Sequence, residues 1–303
     1  MKDEYRTFAK TFDSLSNKLY SWLLFIILSL TWGSSFILMK LGLENLNAYE
    51  VAAIRVLSAG IVLLPFTFKS YANIPKQKMG YVILSGLLGS FFPAFLYCIA
   101  ETRIDSGIAG ILNALTPVCA IIIGISFFDL TITRGKIIGV AIGFAGLVLL
   151  PFAGNRVMET KDLSYAALVL IATICYGLNV NLVSRHLKEI KSLHIASLAF
   201  AFLIIPCCII LGWSGFFKLD FSNTQILHSI SMSALLGISG TAIATILFYM
   251  LVKKAGAIFA SLVTYGIPFI AIMWGVIFKE EITLLQIGCL GIILGGVYLV
   301  NKS

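Results

Sequence analysis

The 303-residue chain is 59% hydrophobic and only 12% charged, with a mean hydropathy of +0.99 and a net charge of +8. This composition excludes a water-soluble globular domain, because repeated charge-free apolar stretches of membrane-spanning length do not fold as a soluble core. The positive charge does not indicate nucleic-acid binding either, since the Lys and Arg residues are scattered between apolar stretches and form no basic stripe.

The leading segment, residues 1–19, is polar and has no signal-peptide cleavage pattern, so we expect the first apolar helix to be retained. Apolar residues recur in it at spacings of three and four: Tyr5, Phe8, Phe12, Leu15 and Leu19. This spacing predicts an interfacial amphipathic helix, and a mobile tail is the alternative.

Ten apolar stretches follow, each of about the length that crosses a bilayer core as a helix. They are Tyr20–Met39, Val51–Phe68, Met79–Ala100, Ser106–Phe128, Ile137–Ala153, Leu163–Ser184, Leu193–Phe217, Ser229–Val252, Ala255–Phe278 and Ile282–Val300. The connectors are mostly short, so neighbouring helices should pack as antiparallel hairpins. The sequence therefore predicts an all-α polytopic membrane protein with ten transmembrane helices.

The distribution of Lys and Arg predicts the orientation of these helices. With a cytoplasmic N-terminus, fifteen of the 22 Lys and Arg residues fall in inside segments and six in outside segments, Arg55 being the remaining one. We therefore expect a multi-pass protein of the cell (inner) membrane with both termini in the cytoplasm.

The two halves of the chain resemble each other, as a search for internal repeats reveals. A gapless shift of 151 residues aligns Gly86 with Gly237, Gly89 with Gly240 and Pro117 with Pro268, and a shift of 144 aligns Trp32-Gly33 with Tyr176-Gly177. Because each half holds five helices, an odd number, the second half must enter the membrane from the opposite side. This predicts two inverted repeats, residues 20–153 and 163–300, joined by a connector at 154–162.

Several segments resemble one known family. They are Trp32-Gly33-Ser34-Ser35-Phe36, Arg55 after Ala52-Ala53-Ile54, Leu112-Asn113-Ala114-Leu115-Thr116-Pro117, and the glycine-rich closing helix of each half. In this order they resemble the EamA branch of the drug/metabolite transporter superfamily, across most of the chain. The resemblance implies a ten-helix fold with a central substrate cavity and, often, export of amino acids or other metabolites. The chain departs from the pattern at Asp129, where Glu is usual, and at Ala199, which stands where the second-half equivalent of Arg55 is expected.

Two mid-helix prolines give the sharpest functional signal, because a proline leaves the carbonyl four residues earlier without its helical partner. Pro117 and Pro268 would free the carbonyls of Asn113 and Thr264, both near mid-span, where an unpaired carbonyl is costly. We interpret them as hinges beside a midplane polar site. The alternative is that they only kink packed helices and that nearby hydroxyls restore the bonds.

Further polar and aromatic residues share helix faces with one another and predict the walls of the same cavity. The full set of predicted substrate-binding residues is Trp32, Ser35, Tyr97, Asn113, Thr116, Tyr176, Asn179, Thr245, Tyr249, Thr264 and Tyr265. For any single member, interhelical hydrogen bonding without substrate contact is the alternative.

Arg55 is the one ionised residue deep in a predicted span. It could attract a substrate carboxylate, but we favour a structural role in which it pairs with Glu101 or with a free carbonyl.

These features predict a secondary transporter of small organic solutes that works by alternating access, with the lipid bilayer and a small-molecule substrate as its partners. No catalytic residue, cofactor or metal site is predicted, and no nucleotide-hydrolysis or zinc motif occurs. An intramembrane hydrolase is one alternative, because Gly237-Ile238-Ser239-Gly240 has the GxSG form, yet no histidine follows Ser239. A lipid scramblase or scaffold is another.

Overall fold

The computed structural model describes residues 2–104, 106–149, 152, 163–270, 273 and 283–302, and within these ranges all regular structure is helical. We label the helices α1 to α10 in chain order. The first five are α1 (Lys2–Leu43), α2 (Ala48–Asn73), α3 (Lys76–Ala100), α4 (Ser106–Asn113 and Thr116–Phe127) and α5 (Arg134–Leu149). The next two are α6 (Leu163–His186) and α7 (Ser192–Ser214).

The last part of the chain contains a long run that local geometry divides. Hydrogen bonding joins Thr224–Ile270 into one stretch, but Gly256 has φ 86° and ψ 165°, values that glycine adopts readily and that no helix contains. We therefore label residues 224–255 α8 and residues 257–270 α9. The final helix is α10 (Leu284–Lys302).

Among the described residues, six stretches are long and apolar enough to cross a bilayer, judged by length and composition, and Thr224–Ile270, which contains α8 and α9, counts as one of them. Thr116–Phe127 and Ile287–Lys302 are shorter apolar helices. Large apolar side chains such as Trp213 and Phe127 are more than three-quarters exposed, as is expected of a surface that faces lipid.

Local sequence signals explain where several helices begin and end. Asn47 accepts hydrogen bonds from the backbone N–H groups of Tyr49 and Glu50, and the Glu50 carboxylate accepts one from Asn47 N at 3.0 Å, so a capping box starts α2. Gly215, in the left-handed region at φ 89°, ends α7. The leading segment is helical from Lys2 and continuous with α1, so α1 begins well before the predicted Tyr20.

Two segments, one in each half, depart from α-helical geometry in the same way. Leu87–Phe91 in α3 and Leu236–Ile243 in α8 are π-helical, and the 151-residue shift superposes them. Such π segments cluster at functional sites, because the inserted residue redirects neighbouring side chains. Both lie in the middle of their helices.

Two helix seams run beside the centre of the fold and are made of equivalent contacts. Between α1 and α9, Ser29 Oγ donates to Val263 O at 3.4 Å and Gly33 faces Ile270. Between α6 and α4, Thr173 Oγ1 donates to Leu112 O at 3.4 Å and Gly177 faces Cys119. Adding 144 to the α1 positions gives the α6 positions, and subtracting 151 from the α9 positions gives the α4 positions. The two sets of contacts are therefore equivalent.

The end of the α1–α9 seam on the predicted cytoplasmic side is closed by aromatic side chains. Trp22 and Phe25 of α1 meet Phe259 of α9 with ring centroids 5.5 and 5.8 Å apart. At the same side of the α4–α6 seam, Arg185 Nη2 and Asp129 Oδ2 form an exposed ion pair at 3.3 Å, and the His186 ring of α6 stacks on Tyr81 of α3.

Helices α5 and α10 pack together through glycines. A Cβ atom at Gly139 would lie 2.8 Å from Gly296 O, and one at Gly296 would lie 2.5 Å from Gly139 O. Backbones that approach this closely gain van der Waals contact, which is the main attraction between helices in lipid. This pair links the closing helices of the two halves.

Candidate functional site

A cavity of about 90 Å³ lies where the two π segments, the seams and the interrupted helices meet. Ten of the eleven predicted substrate-binding residues line it: Trp32, Ser35, Tyr97, Asn113, Thr116, Tyr176, Asn179, Thr245, Tyr249 and Thr264. Phe36, Met39, Arg55, Ser90, Thr241 and Phe248 complete much of the wall. The residues singled out in both halves of the sequence therefore converge on one space.

One corner of the cavity is built where α1 meets α8. Trp32 Nε1 donates to Gly240 O at 2.9 Å, and the Trp32 ring lies 5.2 Å from that of Phe248. Gly240 lies in the π segment of α8, and a Cβ there would be 2.6 Å from Ser35 Oγ. A side chain larger than hydrogen at position 240 would displace Ser35, so the glycine permits this close crossing.

The opposite corner, where α6 meets α3, repeats this arrangement with different residues. The Tyr176 ring lies 6.2 Å from that of Tyr97, the equivalent of the Trp32–Phe248 pair. Gly89, the equivalent of Gly240, lies in the π segment of α3, where a Cβ would be 2.3 Å from Asn179 Nδ2. Asn179 thus takes the place that Ser35 has in the first corner.

Two buried polar atoms of this wall, the Tyr97 hydroxyl oxygen and Asn179 Oδ1, have no hydrogen-bond partner among the described residues. Asn179 is 3% exposed, so its amide oxygen is enclosed. An enclosed acceptor without a partner costs about 1–3 kcal/mol. Such a cost is tolerated at a functional site when another state of the protein, or a bound molecule, satisfies the atom.

The first prediction concerns the glycine beside this amide. Gly89→Val is expected to lower the free energy of unfolding by about 2 kcal/mol, because the added atoms collide with Asn179 and with the Tyr249 hydroxyl, 3.2 Å from the Cβ position. The matched control is Gly80→Val, in the same helix but with no atom within 4 Å of its Cβ. Unfolding in detergent with increasing SDS measures both. Equal losses in the two variants would contradict the close packing at Gly89.

Helix α4 is interrupted at Ala114 and Leu115, directly before Pro117, which stands in the first turn of the resumed helix. In α9 a 3-10 turn at Leu262–Tyr265 precedes Pro268. Both interruptions lie at the cavity.

The sequence prediction of an unpaired carbonyl at Asn113 is wrong. Thr116 Oγ1 donates to Asn113 O at 2.6 Å and also lies 3.2 Å from Asn113 Oδ1. A hydroxyl three residues later therefore replaces the helical bond that the proline removes, as the structural alternative proposed. In the second half, Ile267 takes the position of Thr116 and has no hydroxyl to donate.

Tyr265 does not line the cavity, in contrast to its prediction as a wall residue. It is fully buried, its hydroxyl donates to Val140 O at 3.0 Å, and its ring fills the space above Gly143 of α5. Tyr265 therefore stabilises the contact between α9 and α5 by a hydrogen bond and by ring packing. Helix periodicity could not predict this, because the 3-10 turn at Leu262–Tyr265 has fewer residues per turn than an α-helix and so changes the face on which the ring lies.

Arg55 lines the cavity from α2, and its Nε donates to Thr241 Oγ1 of α8 at 2.7 Å. Thr241 lies one turn before Thr245 in α8, and helix periodicity alone does not predict that it accepts a hydrogen bond from Arg55. Pairing of Arg55 with Glu101 stays a prediction.

Ser239, the candidate nucleophile of the hydrolase alternative, is half-buried, and its hydroxyl donates to Leu235 O at 2.7 Å within its own helix. The flanking glycines pack against neighbouring helices: a Cβ at Gly237 would lie 2.2 Å from Arg55 O. The GxSG pattern is therefore explained by helix packing.

Comparison with known proteins places the chain among transporters. The model of the EamA-like transporter family matches residues 19–152 and again residues 163–302. An uncharacterized transporter of Archaeoglobus fulgidus is 27% identical over 293 residues, which cover 92% of this chain and 98% of that protein. Protein PagO of Salmonella typhimurium is 25% identical, with 82% of each chain covered.

The inner membrane transporter YedA of Escherichia coli is 24% identical, with 90% of this chain and 88% of that protein covered. Among solved structures, one crystal structure of a protein superposes with a TM-score of 0.67 at 17% identity, covering 92% of this chain and 95% of the other. This likeness concerns the fold alone.

Proposed function

Because this chain belongs to the EamA-like transporter family, and is therefore a multi-pass membrane transporter and not an enzyme, we propose that it exports small organic solutes through the central cavity. Amino acids or related metabolites are the proposed cargo class. The observation that carries this proposal is the convergence of polar and aromatic residues from both halves on one cavity. Aromatic faces with a few fixed polar groups suit small amphipathic molecules.

The proposed architecture is ten transmembrane helices in two inverted five-helix repeats. Two matches of one family model in a single chain support it. So do the two π segments, the two cavity corners and the two seams, whose contacts are related by constant sequence shifts. The excess of Lys and Arg in the predicted inside segments supports two cytoplasmic termini.

The proposed mechanism is alternating access by rocking of the repeats about the cavity. The aromatic packing of Trp22 on Phe259 at the inner end of the α1–α9 seam supports a state in which this route between the cavity and the cytoplasm is closed. Opening of this inner end would admit cargo from the cytoplasm. After it closes, the cargo could leave the cavity only on the outer side. Export down a concentration gradient needs no further energy source.

Flux from proteoliposomes tests this function. Purified protein is reconstituted into vesicles loaded with a mixed metabolite pool, and released compounds are identified by mass spectrometry. We expect release of a defined set of small solutes that protein-free vesicles retain. Release of no solute, or scrambling of labelled lipid in its place, would refute the proposal and favour the scramblase or scaffold alternative.

The second prediction concerns the middle of the cavity. Asn113→Leu and Thr264→Leu, both at buried lining positions, are expected to lower the transport rate at least tenfold. Leucine fills part of the cavity and removes a polar group from its wall. The matched control is Asn73→Leu, at an exposed asparagine at the end of α2, which should transport at the wild-type rate. Normal flux in both cavity variants, with folding verified by size-exclusion chromatography, would refute the site.

A further inference from the structure

The charge of the cavity wall is unequal between the two corners. Among the described lining residues, Arg55 alone carries a full charge, and no carboxylate lines the space. Arg55 lies within α2, more than one turn from the capped end at Asn47. A cation at such depth is retained only when it is paired or functional.

The guanidinium is held in place from the other half of the protein. Arg55 Nε donates to Thr241 Oγ1 at 2.7 Å, and this is the one hydrogen bond that the described residues give to the side chain. A guanidinium has five N–H donors. The bond to Thr241 fixes the plane of the group and leaves the donors on Nη1 and Nη2 for other acceptors.

Helix packing does not require this arginine, as the equivalent contact in the second half demonstrates. There Ala199 stands in the place of Arg55 and packs against Gly86, 3.0 Å from the Cβ position. Gly237, the equivalent of Gly86, packs in the same way against the backbone carbonyl of Arg55. The crossing at Gly237 therefore uses the backbone of Arg55 and not its guanidinium, and the equivalent crossing is made with alanine.

We infer that the cavity selects organic anions, with the cargo carboxylate on Arg55 and its apolar body between the aromatic rings of the wall. This inference rests on the proposed transport function and names its cargo class. A carboxylate pairs bidentately with the two outer nitrogens of a guanidinium. Because the described wall offers no acid to pair an ammonium group, a cargo with net negative charge is favoured over a zwitterion, and a cation is disfavoured.

Four compounds with one phenyl group on a two-carbon chain test the charge preference: 3-phenylpropionate, 3-phenylpropionamide, phenylalanine and phenethylamine. They are added at equal concentration to the metabolite pool loaded into proteoliposomes. Among all released compounds, we expect carboxylates of net negative charge to predominate, and phenethylamine to be released at least tenfold more slowly than 3-phenylpropionate.

Arg55→Gln is expected to abolish this preference, and Arg55→Lys to retain part of it, because lysine keeps the charge but not the planar pairing. Thr241→Val, which keeps the arginine and removes its anchor, should lower the anion preference severalfold. These two milder variants keep the test informative if Arg55→Gln does not fold.

The matched control is Glu101→Gln, at the acid one turn after Tyr97 and outside the cavity wall. If the Arg55 guanidinium binds the cargo carboxylate directly, Glu101→Gln keeps the anion preference. If Glu101→Gln and Arg55→Gln behave alike, Arg55 acts through Glu101 and the inference is overturned. Release of cations or neutral solutes with equal speed would overturn it as well, while leaving the transport function intact; release of nothing by the wild type would refute that function itself.

Discussion

Gly296→Leu is expected to lower the free energy of unfolding by about 3 kcal/mol, the upper end of what overpacking of a tight core contact costs. A Cβ at position 296 would lie 2.5 Å from both Gly139 O and Gly143 N, and 2.7 Å from Gly143 Cα. All three atoms belong to the backbone of α5, which cannot turn aside as a flexible side chain does. The two helices would have to separate along their contact, and van der Waals attraction falls steeply with that distance.

The neighbouring residue provides a matched control. Gly295→Leu makes the same chemical change in the same turn of α10, but no atom lies within 4 Å of its Cβ and the position is exposed. We expect it to change the free energy of unfolding by less than about 1 kcal/mol. Unfolding of both variants in detergent with increasing SDS, followed by circular dichroism, gives the comparison. Equal stability of the two would mean that α5 and α10 do not approach each other as closely as their glycines allow.

The structure brings most of the predicted wall residues together, and the internal sequence similarity guided their choice. A residue singled out in one half gained weight when its counterpart in the other half had similar chemistry, as with Trp32 and Tyr176. Single motifs of this kind are weak, whereas a pair at a constant shift reflects one packing solution used twice. Ten of the eleven predicted wall residues therefore line the same space.

What the sequence did not predict depends on local geometry below the level of helix periodicity. The π segments at Leu87–Phe91 and Leu236–Ile243 leave no pattern in hydropathy, yet they set Gly89 and Gly240 beneath Asn179 and Ser35. Helical-wheel reasoning assumes 3.6 residues per turn, and it fails where one extra residue enters a turn.

The carbonyl of Asn113 illustrates a second kind of limit. The proline rule identified the correct residue, but the threonine one position before the proline donates to the freed oxygen, as the alternative interpretation held. Gly256 is a third case: an isolated glycine after two lysines gave no indication that the turn between α8 and α9 would be a single residue. In each case a hydrogen bond or one backbone angle decided the outcome.

The α1–α9 seam provides the most direct test of alternating access, because its inner end has to open if cargo enters from the cytoplasm. Trp22 and Phe259 face each other across it with ring centroids 5.5 Å apart. With both residues replaced by cysteine (Trp22→Cys, Phe259→Cys) and the exposed Cys208 replaced by serine, a short bis-methanethiosulfonate reagent should join α1 to α9. We expect transport to fall to the level of protein-free vesicles, since a covalent link excludes every state in which the seam is open.

Reduction of the link should restore transport, which separates locking from irreversible damage. A variant with only one of the two introduced cysteines, treated with a monofunctional methanethiosulfonate, controls for the bulk added at the seam. It should keep most of its activity. The bifunctional link is compatible with the closed conformation, in which α1 and α9 already approach each other at positions 22 and 259. A cross-linked protein that still transports at the unlinked rate would mean that cargo passes without separation of α1 from α9, and the rocking of the two repeats would have to be replaced by a motion confined to other helices.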